Sequence, residues 1–252
     1  MADGDLRRSA LRLIVDGAGE PAWNMAVDEA LLQLGEAPVL RLYGWRPYAV
    51  SLGYFQRFAD FADLAATTPI VRRLTGGGAI HHGDELTFAL VVDADVLPAD
   101  VATSYRLVHD AAVAALAEVG VRSRRQPGGD GPSARPKDRW CFADPGRDDV
   151  VTDRGKLLGS AQRRVAQPRP RVLHHGSLVL QAPAHTPFVA AAADQQPVDP
   201  ALRERLAGRF VAHLARTLDL EPSPAALTMP ERTLATTLRE RRYLDPAFTQ
   251  QR

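Results

Sequence analysis

The sequence predicts an α+β domain: a mixed, mainly antiparallel sheet with flanking helices. Two observations carry this reading. Short β-prone runs follow one another between residues 39 and 92 and again between 150 and 180, and long crossover helices do not alternate with them, which argues against a doubly wound parallel sheet. Before residue 180, strong helical periodicity is confined to two stretches, 21–34 and 104–120.

In chain order, Pro21 to Leu34 sets Val27, Ala30, Leu31 and Leu34 at helical spacing, an amphipathic helix in which Asp28 and Glu29 read as early acids favoured near an N-terminus. Val39 to Tyr43 and Ala49 to Gly53 read as strands parted by Gly44 and Pro47, and Ile70 to Leu74 as a strand running into three glycines. Glu85 to Val92 is a further strand. Tyr105, Leu107, Val108, Ala111, Ala112, Ala115, Leu116 and Val119 then repeat with helical period, and Gly120 is the expected stop. Gln126 to Pro136, rich in Gly and Pro, reads as a loop that leads to Cys141 and is expected to be mobile when the site is empty. Strands resume near Val150, Leu157, Val172 and Leu178. Leu202, Leu206, Phe210, Leu214 and Leu218 mark a helix, with a shorter one from Thr233 to Arg242.

Composition narrows the function. With 252 residues, 45% hydrophobic and 24% charged, the chain buries a substantial core. Its 31 Lys+Arg against 30 Asp+Glu leave a net charge of +1, so no whole-molecule field draws it to nucleic acid or membrane. Arginines cluster locally, at 122–125, 163–171 and 239–242, and an acidic protein partner fits such patches. A single cysteine excludes an internal disulfide, the first residues lack a signal-peptide core, and no apolar run reaches the roughly 18 residues of a membrane span. A reducing cytoplasm is the expected setting.

Four local patterns hold reactive or ligand-facing groups. Arg72-Arg73-Leu74-Thr75-Gly76-Gly77-Gly78-Ala79 joins a strand to a glycine run, where backbone approaches a ligand closely, although the same pattern also makes a hairpin turn. It is neither a Walker loop nor a dinucleotide fingerprint. His81-His82 and His174-His175 are adjacent pairs whose members face opposite ways on a strand, so neither pair holds one metal ion, and no metal site is expected. Gly155-Lys156-Leu157-Leu158-Gly159-Ser160-Ala161 offers a fixed cation with small neighbours. Cys141, between Trp140 and Phe142, is either a small buried hydrophobe or, with Lys156 beside it, a thiolate nucleophile.

Taken together, the order Asn24 to Leu31, Leu42 to Pro47, Val50 to Gln56, Arg72 to Gly78 with His82, Gly155 to Gln162 and His175-Gly176-Ser177 resembles the lipoate-protein ligase and octanoyltransferase family over about residues 20 to 180. The resemblance implies the catalytic-domain fold shared with biotin-protein ligases, here expected over 1–199 with a small helical C-terminal extension over 200–252 packed on it. It implies attachment of an octanoyl or lipoyl group to a carrier-domain lysine. It makes Arg73, Thr75, Gly76, Gly77, Gly78, Ala79, His82, Gly159, Ser160, Ala161, His175 and Gly176 acyl-binding residues, with Cys141 and Lys156 catalytic. Leu74, Ile80 and Val50 are candidate walls of the acyl tunnel, and one of Arg72 and Arg73 is expected to face ligand or an acidic carrier.

Two subclasses differ in their acyl donor. Cys141-Phe142 and Glu85-Leu86-Thr87-Phe88 are similar to segments of the single-cysteine octanoyltransferases, which take octanoate from acyl carrier protein, need no cofactor, and pass it to a lipoyl domain or glycine-cleavage H protein. Gly78 stands where those transferases often carry arginine, and the triple glycine is at home in the ligases, which use ATP and Mg²⁺. The expected activity is octanoyl transfer through a Cys141 thioester. The alternatives are ATP-dependent lipoate ligation through an adenylate, or a noncatalytic accessory protein that binds the carrier domain.

Overall fold

The computed structural model describes residues 9–127 and 139–252. The loop reading for 126–136 therefore lies largely outside the described residues. Eleven strands are present among them: β1 (Ser9–Gly19), β2 (Val39–Trp45), β3 (Ala49–Leu52), β4 (Ile70–Arg72), β5 (Ile80–His82), β6 (Glu85–Asp93), β7 (Arg124–Arg125), β8 (Val150–Thr152), β9 (Gly155–Val165), β10 (Arg171–Val179) and β11 (Leu220–Pro224). Eight form one sheet in the order β11-β1-β2-β6-β10-β9-β8-β7, and β4-β3-β5 form a second. In the large sheet β1 pairs in parallel with β2 and β11, and the remaining pairings are antiparallel. This is the mixed, mainly antiparallel architecture expected, with the strands at 49–52 and 70–72 set apart as a separate small sheet.

Side-chain alternation along the central strands supplies two cores. Leu40, Leu42, Phe88 and Leu90 point to one face and pack under α2 (Val101–Glu118) and α3 (Pro200–Leu218). Val39, Tyr43, Ala89 and Val91 point to the other, under α1 (Pro21–Leu34) and α4 (Met229–Leu238). A strand buried on both faces reads as a nearly unbroken apolar run, which is why β6 was legible.

The helices start and stop on local chemistry. Asp100 and Asp199 accept the N–H groups of Thr103 and Leu202 as N-caps. Thr228 and Glu231 form a capping box at α4. Gly120, at φ +83°, turns the chain just past α2 as expected.

Helix α1 departs from its sequence reading. Asp28 and Glu29 lie past its first turn and are buried, and nearly every residue from Pro21 to Leu32 is covered, so the helix is enclosed rather than amphipathic. The acids are tolerated because each has partners: Asp28 meets Arg41 and Tyr43, and Glu29 meets Arg242 and Tyr243. Three strands, β1, β7 and β11, carried no sequence expectation, and β7 is only two residues long. β1 has few covered side chains, and β11 contains Pro222 and Pro224, which an edge strand accepts because one side needs no ladder.

Candidate active site

The glycine run between β4 and β5 is held from inside by Arg73. Its guanidinium donates to Ser51 O at 2.7 Å, Ser51 Oγ at 2.8 Å, Gly76 O at 3.1 Å and Gly78 O at 2.9 Å. Burial pushes its pKa down to about 10. Arg72 is buried as well and donates to the carbonyls of Gly53, Tyr54, Gln56 and Thr249. Both act as scaffolds, and Arg73 also borders the cavity described below.

Two close approaches explain the glycines. Gly77 is at φ +95°, and a Cβ on Gly53 would lie 1.9 Å from its carbonyl oxygen. A Cβ on Gly78 would lie 2.8 Å from the nitrogen of Cys141. That space lets the Cys141 segment dock: Ala79 N donates to Arg139 O at 2.9 Å and Cys141 N donates to Ala79 O at 2.8 Å, a short parallel bridge.

Lys156, on β9, is 4% exposed and reaches the same point. Its Nζ lies 3.2 Å from Cys141 Sγ, 3.2 Å from Cys141 O and 2.8 Å from Asp149 Oδ2. A Cβ on Gly159 would sit 2.3 Å from Lys156 Cε, so the small residue after the lysine is what makes room for it. Burial works against the ammonium, but the negative charge at Cys141 and Asp149 outweighs it and the lysine pKa is raised. Lys156 is a fixed cation. Asp149 carried no distinctive signal in the sequence and completes the group.

Beside the sulfur lies a narrow cavity with a mainly apolar lining. Of the residues expected there, Arg73, Gly76, Gly77, His82, Gly159, Ser160, Ala161, His175 and Gly176 line it with Cys141. Thr75 holds the ring of His175, Oγ1 to Nε2 at 2.7 Å, while Gly78 and Ala79 lie behind Cys141. Met25, Tyr43, Trp45, Thr87 and Ser177 complete the wall and were not foreseen, although Met25, Tyr43, Trp45 and Ser177 fall inside the motifs that carried the resemblance. Ile80 lines the cavity as expected. Val50 does not, since it packs with Leu52, Phe61 and Trp140 beneath the loop, and Leu74 turns toward the α1 side of the sheet.

The histidines divide as their strand positions require. His82 stacks on Trp45, ring centroids 3.7 Å apart, with Nδ1 2.8 Å from Glu85 and Nε2 2.6 Å from Ser51 Oγ. His81 faces the other way, toward His185 and Trp140. His175 turns to Asp28 and Thr75, and His174 turns to Ser160 and Gln162. Among the described residues no group of three or more His, Cys, Asp or Glu is placed to hold a metal ion, and no helix is long and apolar enough to cross a membrane.

Burial pushes the pKa of His81 down to about 4 and lowers those of His82, His109 and His174. The unfolded chain then binds protons that the folded chain refuses once the pH drops below about 6.5. Stability is complete above that pH and falls as the pH moves toward 4, by up to about 1.4 kcal/mol per pH unit for each histidine. Urea midpoints at pH 7.5, 6 and 5 are expected to decline in that order; a flat series would contradict the neutral, buried state of these rings.

Fold and site together define a class: a single-thiol enzyme on an α+β sheet, with a lysine at its sulfur and an apolar cavity alongside. More narrowly, the chain belongs to the lipoyl protein ligase A/B catalytic domain family, which it matches over residues 20–223. It is 36% identical over 237 residues to an octanoyltransferase LipM of Kyrpidia tusciae, covering 89% of this chain and 84% of that one. It is 32% identical over 192 residues to octanoyltransferase LipM of Bacillus subtilis strain 168, covering 69% and 67%. Among solved structures, a putative lipoate protein ligase from T. acidophilum superposes with a TM-score of 0.78 at 21% identity, over 96% of this chain and all of that one. A lipoate-protein ligase A bound with ATP superposes with a TM-score of 0.75 at 22% identity, over 96% and 98%. These structures share the fold.

Proposed function

We propose that the chain is an octanoyltransferase of lipoate biosynthesis that moves an octanoyl group from acyl carrier protein to a lysine of a lipoyl domain or glycine-cleavage H protein. The observation that carries this reading is the 3.2 Å approach of Lys156 Nζ to Cys141 Sγ at the border of an apolar cavity. The relatives named octanoyltransferase, at 30–36% identity, support it.

The Cys141 thiolate, with Lys156 as its counter-charge, attacks the carbonyl carbon of the carrier thioester. A carbon–sulfur bond forms, and negative charge develops on the carbonyl oxygen. Lys156 and backbone N–H groups of the glycine run stabilise it. Collapse breaks the bond to the carrier sulfur, which leaves as thiolate and takes up a proton. The octanoyl chain rests against Ile80, Met25 and Trp45, where each buried CH₂ contributes about 0.8 kcal/mol. The neutral amine of the acceptor lysine then attacks the thioester on Cys141, an amide forms, the amine loses a proton, and Cys141 is released as thiolate. The reaction so written consumes no nucleotide and needs no cofactor.

Intact-mass measurement after mixing with octanoyl carrier protein is expected to show one octanoyl adduct, labile to hydroxylamine and missing in Cys141→Ala. ATP- and Mg²⁺-dependent lipoylation that survives Cys141→Ala would favour the ligase reading instead. Carrier-domain binding with no acyl turnover would leave an accessory protein.

A further inference from the structure

Behind the lysine lies a chain of hydrogen bonds that the reaction as described does not use. His109, on α2 and 0% exposed, places Nδ1 2.5 Å from Asp148 O and Nε2 2.7 Å from Ser160 Oγ. Ser160 Oγ also lies 2.7 Å from His174 Nε2, and His174 Nδ1 lies 2.7 Å from Gln162 Nε2. The direction of every proton follows. A carbonyl oxygen only accepts, so neutral His109 carries its proton on Nδ1 and accepts at Nε2 from the Ser160 hydroxyl. Ser160 therefore accepts from His174 Nε2–H. Gln162 supplies the last donor, because its Oε1 already accepts from Arg164 Nε at 3.2 Å.

The carbonyl at the end of this chain belongs to a strained residue. Asp148 is a non-glycine at φ +67°. Its side chain is pinned by Arg125 at 2.8 Å. The turn it makes aims the next carboxylate, Asp149, at Lys156 and thereby sets the ammonium on Cys141 Sγ. Ser160, the next member of the chain after His109, lines the acyl cavity.

We infer that His109 is a positioning residue: by holding the Asp148 carbonyl it fixes Asp149 and Lys156 against the Cys141 sulfur, and it ties that arrangement to Ser160 in the acyl cavity. The inference rests on Cys141 being the nucleophile.

The only cysteine of the chain gives a direct readout, the rate of its alkylation by iodoacetamide at pH 7, with Cys141→Ala as the blank. His109→Asn keeps a donor at the Nδ1 position, and His109→Gln keeps only the partner at the Nε2 position. Alkylation is expected to stay within about two-fold of the parent in His109→Asn and to fall roughly ten-fold in His109→Gln, the scale of one lost hydrogen bond. Equal rates in His109→Gln and the parent, or an equal fall in both variants, would overturn the role. Should neither variant show a cooperative urea transition, Ser160→Ala takes their place. It breaks the same chain, with a roughly three-fold fall expected, and an unchanged rate counts against His109. A parent protein whose Cys141 alkylates no faster than glutathione would instead remove the nucleophile itself, an outcome distinct from a reactive parent with indifferent variants.

Discussion

Replacing Lys156 by methionine is expected to slow acylation of Cys141 by octanoyl carrier protein by about 10²–10³-fold, the range seen when one preorganised electrostatic group is removed from a reacting centre. Methionine keeps most of the length and the apolar stem, so the pocket beside Gly159 stays filled. What goes is the ammonium that lies 3.2 Å from the sulfur. What stays is Asp149, whose side chain is 10% exposed and would then face the sulfur with no ammonium between them. Two negative groups at short range oppose each other. Adding Asp149→Asn to Lys156→Met is therefore expected to recover part of the rate. Intact-mass time courses read all three proteins, and an unchanged rate in Lys156→Met would take the lysine out of the chemistry.

Arg41→Met is expected to lower stability by about 3–5 kcal/mol, the usual cost of removing one partner from a buried ion pair. Arg41 is 0% exposed in the middle of β2. Its guanidinium donates to Asp28 Oδ1 at 2.9 Å, Asp16 Oδ2 at 2.7 Å and Asn24 Oδ1 at 3.0 Å. Without it, Asp28 keeps only Tyr43 OH at 2.9 Å and His175 Nδ1 at 3.3 Å inside the core. Asp28→Asn in the Arg41→Met background removes the uncompensated charge and is expected to restore roughly half of the loss. Urea titrations with an unchanged slope test both numbers; a fall below about 1 kcal/mol would mean that water or a rearranged Asp28 replaces the arginine. Because His175 also holds Thr75, the same variant is expected to disturb the acyl cavity.

The sequence reading reached furthest where local pattern and tertiary role coincide. α1 was bounded at its true ends because proline opens it and glycine follows it, and β6 was plain because both its faces are buried. The glycine run and Lys156 were ambiguous taken singly and became site residues through the ordered motifs of the family resemblance. Their geometric reasons, room for Cys141 and room for the ammonium, appear only when distant segments meet. Asp149 and His109 left no trace in spacing, because their importance comes from partners on other elements. The acids of α1 misled for a related reason. A buried Asp with an arginine 13 residues away has the same local sequence as a solvated one. β11 escaped notice because two prolines argue against a strand until an edge position is known.

The contact of one ammonium with both a sulfur and a carboxylate has a consequence for the order of events. In the proposed cycle the Lys156 ammonium of the free enzyme faces two negative charges, at Cys141 and Asp149, and in the octanoyl thioester it faces one. Acylation thus removes one negative charge from the site, and Lys156 has only Asp149 left to serve. An incoming amine meets no surplus negative charge that would favour its protonated, unreactive form. The covalent intermediate would prepare the site for its second substrate by changing what the first step leaves behind: a surrounding that holds ammonium becomes one that admits the free base.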